Sequence, residues 1–212
     1  RRLSKKYLDD PAEITIKGVS IHPGEAKGEM VNAIHLASRI INNLPQTTLT
    51  PEVTDGRDGF IHATDMVGGS SKMKLKFILR DFELQGLKDK GHLLSTICET
   101  VQASEPRSEI LCHIRPQYRN MRYWLDKDPK PIQLAETAIK MLGIEPIKKP
   151  IRGGTDGSLL TEMGIPTPNL FTGMQNVHGP LEWISTTDMN IATDLLLKIV
   201  DLATEIKISD IE

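Results

Sequence analysis

No stretch of the sequence reaches the roughly 18 consecutive apolar residues that mark a membrane-spanning helix, and no charged-then-apolar leader ends at a small-residue cleavage site. The expectation is a soluble, unexported, cytoplasmic protein with no membrane partner. Basic residues show no excess. Lys and Arg total 26 against 28 Asp and Glu, so counterion release from a phosphate backbone cannot drive association, and nucleic acid is excluded as an expected partner. Only two cysteines occur, Cys98 and Cys112, in no CxxC pair, so buried free thiols in a reducing compartment are expected. Internal repeats and low-complexity tracts are absent as well. What remains is an ordinary globular composition. With 39% hydrophobic residues, 212 residues suffice for one large packed domain or two small ones.

Residues 14–22 (ITIKGVSIH) alternate apolar and polar side chains, which predicts a strand with Ile14, Ile16 and Val19 on one face. After the turn HPGEAKG, the residues Met30, Ala33, Ile34, Ala37, Ile40, Ile41 and Leu44 follow helical spacing until Pro45. Two strand-like runs, 59–67 and 72–82, flank Gly68-Gly69-Ser70-Ser71 and read as a hairpin. Leu84, Leu87, Leu94, Ile97 and Val101 mark a second helix, and residues 109–114 (EILCHI) a further strand. The order β-α-β-β-α-β is the split βαβ motif, which predicts one antiparallel sheet with both helices on one face. From Asp126 the grammar changes to alternating α/β: helix 131–142, extended run 145–151, helix 157–163, strand 168–171 and a final helix from about Asp188. Two short strands and three helices make a poor free-standing sheet. This half reads as a piece of a larger α/β domain, with the boundary near 118–125.

Four clusters carry the candidate chemistry: IHPGEAKGEMVNA (21–33), FILRDF (77–82), PIRGGTDGSLLTEMGIPTPNLFTG (150–173) and NVHGPLEW (176–183). His22 ends the first predicted strand before Pro23-Gly24 and projects at a turn, where capping is the ordinary role. Arg80 alternates between apolar strand residues. Its plain reading is an ion pair with Asp81 or Glu83, weakened because odd spacings on a strand face opposite ways. The segment Arg152-Gly153-Gly154-Thr155-Asp156-Gly157 precedes a helix. It is either a turn capped by Thr155 or Asp156, or a loop whose free amides favour an anion. It lacks the GxxxxGK[ST] pattern of a phosphate loop. His178 lies in a Gly-bounded loop, a common location for functional residues. The six histidines, at 22, 35, 62, 92, 113 and 178, show no HxH, HExxH or HxD spacing. A catalytic zinc takes about three protein ligands, so no metal site can be read from these residues alone. Met30, Met73, Met121, Met141, Met163 and the aromatic residues read as packing, and Lys88, Asp89 and Lys90 as a solvated helix face.

With their spacings, the four clusters resemble the peptidase T (tripeptide aminopeptidase) family of dizinc metallopeptidases over residues 14–205; residues 1–13 do not match the pattern. The resemblance implies an α/β protein: an α+β lid and dimerisation domain at 14–118, and the C-terminal part of a zinc-peptidase catalytic domain at 119–212. It implies two zinc ions per complete active site, a tripeptide substrate cleaved at its first peptide bond, and a homodimer joined through the lid. Of the family's metal and base residues, a His-x-Asp pair, a bridging Asp, a Glu-Glu pair, a further Asp and a late His, only the last has a counterpart, His178. The others fall outside residues 1–212. The chain by itself is therefore expected to be inactive. The resemblance further implies that His22 reaches a partner subunit's active site to stabilise an oxyanion, that Arg80 lies beside the cleft, and that Asn120, in YRNM, fixes the substrate backbone. It implies that Arg152 clamps the tripeptide carboxylate, supported by Gly153, Gly154, Thr155 and Asp156. The alternative expectation is a truncated, non-catalytic dimerisation or interaction module.

Overall fold

A computed structural model describes residues 2–3, 8–116, 121, 125–148 and 155–209. They form two compact units, one built on residues 8–116 and the other on the rest. No helix among the described residues is long and apolar enough to cross a membrane.

In chain order the strands are β1 (Arg2–Leu3), β2 (Leu8–Lys17), β3 (Phe60–Gly68), β4 (Lys72–Asp81), β5 (Glu109–Ile114) and β6 (Ile147–Lys148). The helices are α1 (Ala33–Asn42), α2 (Leu84–Ser104), α3 (Lys130–Met141), α4 (Asp156–Glu162) and α5 (Thr186–Ser209). The first unit is an antiparallel sheet in the order β3-β4-β2-β5. The predicted β-α-β-β-α-β order is therefore present.

Both helices pack on one face of this sheet, touching each other as well as β2 and β4. Period-two alternation explains why. Leu8, Ala12, Ile14 and Ile16 of β2 and Met73, Leu75, Phe77 and Leu79 of β4 point inward and are buried. The opposite face carries Lys72, Lys74 and Lys76, with Lys74 paired to Glu13 and Lys17 to Glu109. At roughly 1.5–3 kcal/mol per fully buried large apolar side chain, this single core is the main favourable term for the unit.

Several boundaries differ from the sequence reading. β2 begins at Leu8, so residues 8–13 belong to the sheet, and it stops at Lys17, five residues before His22. α1 starts at Ala33 because the Asn32 Oδ1 accepts the Ile34 N–H at 2.9 Å, an N-cap that leaves Met30 outside the helix. Leu36 is buried on that helix, and Ile34, predicted on the apolar stripe, is 40% exposed.

The second unit pairs β1 with β6 in parallel, Arg2 opposite Ile147 and Leu3 opposite Lys148. Helices α3 and α5 pack together around Ala135, Ala138, Ile139 and Leu195. The predicted strand at 168–171 is reduced to a single β-bridge residue, Asn169; Pro168 before it has no N–H to extend a ladder.

Candidate functional site

The His22 loop is fixed from below by the main chain. Val19 and Val31 exchange two backbone hydrogen bonds, at 2.9 and 3.0 Å, closing the base of the loop that holds residues 20–30. Gly18 makes this closure sterically feasible, since a Cβ there would lie 2.1 Å from the Val31 carbonyl oxygen. At the tip, His22 caps the 3-10 turn Pro23–Glu25. The Gly24 N–H donates to its Nδ1 at 3.1 Å. An imidazole nitrogen that accepts carries no proton, so the neutral ring keeps its hydrogen on Nε2 as an outward donor. Turn capping and a donor role are thus compatible.

Arg80 takes neither of the partners expected for it. It stands directly opposite Asp9 across β2 and β4. Its Nε and Nη2 donate to Asp9 Oδ2 at 2.8 and 2.7 Å, and its guanidinium lies 5.8 Å from the Phe60 ring centroid. Asp81 faces the other way and pairs with Lys90, while Glu83 pairs with Arg57 at 2.9 Å. Lys90 is therefore not on a solvated face: it is buried at 9% exposure on α2. Asp9 was missed because it falls in the segment the resemblance leaves unmatched. Running the alternation back from Ile14 through Ala12 to Leu8 would have placed it beside Arg80 on the outer face.

In the second unit, Thr155 occupies the N-cap position of α4 without making a side-chain cap; its hydroxyl instead donates to Asn169 Oδ1 at 2.9 Å. Asp156 is the first helical residue, a favourable place for a negative charge. Asn120, Arg152, Gly153 and Gly154 lie outside the described residues.

His178 is exposed in a loop closed by the Gln175–Trp183 bridge. The Asn176 side-chain amide donates to the Leu181 carbonyl at 3.1 Å, and the His178 N–H donates to Glu182 Oε2 at 3.2 Å. Both Asn176 (φ 51°) and His178 (φ 66°) adopt the left-handed backbone. That conformation is costly for a residue with a Cβ, and such strain concentrates at functional sites. Among the described residues no group of three His, Cys, Asp or Glu side chains is placed to hold a metal ion.

A family profile for the peptidase dimerisation domain matches residues 11–104. Peptidase T of Clostridium perfringens is 40% identical over 194 residues, covering 92% of this chain and 48% of that protein. Peptidase T of Streptococcus gordonii is 39% identical, with 89% and 46% covered. The chain thus spans about half the length of the curated relatives it matches. A tripeptidase structure from Staphylococcus aureus superposes with a TM-score of 0.77 at 20% identity, covering 95% of this chain and 53% of that one. The aminopeptidase PepT of Bacillus cereus gives 0.73 at 19% identity, with 93% and 52% covered. A dinuclear metal-binding peptidase of the M20 family from Bacillus subtilis gives 0.62 at 17% identity, with 96% and 53% covered. These likenesses share the fold, and the sequence matches go further: about nine-tenths of the chain is similar to roughly half of peptidase T, with residues 11–104 matching the peptidase dimerisation domain.

Proposed function

We propose that this chain serves a zinc-dependent aminopeptidase that removes the N-terminal residue of tripeptides, as a homodimer joined through a lid at residues 14–118. The observation that carries this reading is the 40% identity with peptidase T across 92% of the chain. The exposed edge strand β3, with Val67 at 60% exposure, supports a dimerising lid. The domain at 119–212 contributes the end of the catalytic unit.

Each residue has a task under this proposal. His22 presents Nε2–H to the oxyanion formed in the partner subunit's site, a donor already oriented by the Gly24 N–H. Arg80 and Arg152 hold peptide carboxylate groups through their planar guanidinium groups. Asn120 fixes the substrate backbone, while Gly153, Gly154, Thr155 and Asp156 support Arg152 in that role. His178 offers one metal ligand; the described residues do not complete a set of about three. Zinc, when bound, supplies a Lewis acid that brings the pKa of water toward neutrality.

The test mixes the 212-residue chain with a separately produced polypeptide bearing the His-x-Asp and Glu-Glu motifs, and assays tripeptide cleavage and zinc content. The chain alone is expected to be inactive and the mixture active and chelator-sensitive. In the mixture His178→Ala should abolish activity, and His22→Ala should lower kcat more than it raises KM, because its donor acts on charge that develops in the transition state. A zinc-loaded mixture that cleaves no tripeptide, or an unimpaired His178→Ala, would refute the proposal. The dimerisation-domain match at 11–104 favours a second reading, a non-catalytic dimerisation module. It predicts a dimer by sedimentation at tens of micromolar together with no zinc uptake in the mixture.

A further inference from the structure

Cys98 and Cys112 take no part in the roles assigned above. Cys98 sits on the face of α2 that carries Leu94, Ile97 and Val101 into the core, and is 3% exposed. Cys112 occupies an inward position of β5 between Ile110 and Ile114, packed against the same core but only half-buried. Ser95 fixes how the two meet. It lies three residues before Cys98 on one helix face, and its hydroxyl is 3.9 Å from the Cys112 sulfur. Helix α2 packs against β5, so the helix face that sets Ser95 beside Cys112 also carries Cys98 toward it. Both cysteines are held by regular elements rather than loops.

Their environments differ in a way that divides labour. The neighbouring Cys98 sulfur lowers the Cys112 pKa, helped by the Ser95 hydroxyl, and together they outweigh its partial burial. The neighbouring sulfur and burial push the Cys98 thiol up. Cys112 is half-buried with its thiol shifted toward the thiolate, while Cys98 is enclosed with its thiol shifted the other way. An attacking thiol and a resolving thiol differ in this way.

We propose that Cys98 and Cys112 form a redox-responsive dithiol, which a hydroperoxide converts into a disulfide clipping α2 to β5. The Cys112 thiolate attacks the outer peroxide oxygen. The O–O bond breaks, the alkoxide leaves and takes a proton, and Cys112 becomes a sulfenic acid. Cys98 then loses its proton and attacks the Cys112 sulfur, forming the S–S bond and releasing water. Overall two thiols lose two electrons and two protons, and the hydroperoxide is reduced to an alcohol and water. The clip closes a loop of residues 98–112 in the unfolded chain, so the oxidised protein should melt at a higher temperature than the reduced one.

The experiment treats the purified 212-residue chain with a modest excess of hydrogen peroxide, then unfolds, alkylates and weighs it, intact and as peptides. Both thiols should disappear together with the loss of two hydrogen atoms, a cross-linked peptide pair should join residues 98 and 112, and dithiothreitol should restore both. Cys98→Ala should trap Cys112 as a sulfenic acid that reacts with dimedone, and Cys112→Ala should leave Cys98 reduced. The wild-type peptide map carries the test on its own if either variant misfolds. The proposal fails if wild-type Cys112 gains oxygen atoms while Cys98 stays titratable. It fails equally if both cysteines stay reduced while the exposed Met163 is oxidised.

Discussion

The two units are built from similar proportions of apolar residue and use them differently. In the first, the helices α1 and α2 close over one sheet face, and side chains such as Ile14, Leu75, Phe77 and Leu94 are almost fully buried in a single cluster. In the second, the buried cluster is small, Ala135, Ala138, Ile139 and Leu195, while Leu181, Trp183, Leu196, Leu197 and Val200 are each more than half exposed. The sequence of α5 is as apolar as a core helix, yet only Leu195 is buried along its described side chains. Apolar content therefore does not measure local stability; closure of the core does. The largest effect that separates the units is a core truncation. Phe77→Ala should destabilise by about 3–5 kcal/mol through lost burial and the cavity left behind. Leu197→Ala should change stability by less than about 0.5 kcal/mol. Denaturant melts of the two variants check this, and comparable losses would remove the distinction.

A second contrast concerns charge. The first unit buries the Asp81–Lys90 pair, with side-chain exposures of 13% and 11%. Asp81→Ala leaves a buried ammonium without its carboxylate and should cost about 3 kcal/mol. Adding Lys90→Met removes the stranded charge, and most of that loss should return. Two melts and their double-mutant cycle decide the point; a double variant no more stable than Asp81→Ala alone would show that the ammonium is not the source of the cost. Gly86 belongs to the same device, because a Cβ there would sit 2.3 Å from an Asp81 carboxylate oxygen. In the second unit the ion pair of Lys198 with Asp201 is open to solvent, with side-chain exposures of 34% and 64%, so its removal should be nearly silent.

How much of this was legible follows the same division. The β-α-β-β-α-β order could be read because each element of the first unit buries a face against its neighbours, and burial on one face imprints a period of two or about 3.6 on the sequence. Buried polar partners left no such imprint. Asp9 and Lys90 look like ordinary surface charges until the register sets Asp9 opposite Arg80 and the helix turns Lys90 toward Asp81. The predicted strand at 168–171 shrinks to one bridge residue, Asn169, because a short run after a proline extends no ladder. His178 stood out by its loop motif, but its left-handed backbone could not be foreseen, because an L-residue takes that conformation only when the surrounding loop imposes it.

That strain gives the smallest and most specific test of the comparison. Among the described residues, the non-glycine residues with positive φ are Asn176 and His178, and both belong to the second unit. At φ 66° the His178 Cβ crowds its own backbone, a cost of about 1–2 kcal/mol that glycine avoids. His178→Ala removes the imidazole and keeps the Cβ; His178→Gly removes both. Since the two variants lose the same ring, their difference isolates the backbone term, offset in part by the greater freedom glycine has in the unfolded chain. His178→Gly should be the more stable of the two, by about 0.5–1 kcal/mol after that offset. The same swap at Ala37, buried within α1 on the first unit, should go the other way, with Gly destabilising by about 1 kcal/mol or more through lost helix propensity and lost packing. Paired melts read both signs. Equal stability of His178→Ala and His178→Gly would mean that the loop relaxes once the ring is gone, and that the strain is held by the imidazole rather than by the hydrogen bonds of residues 175–183.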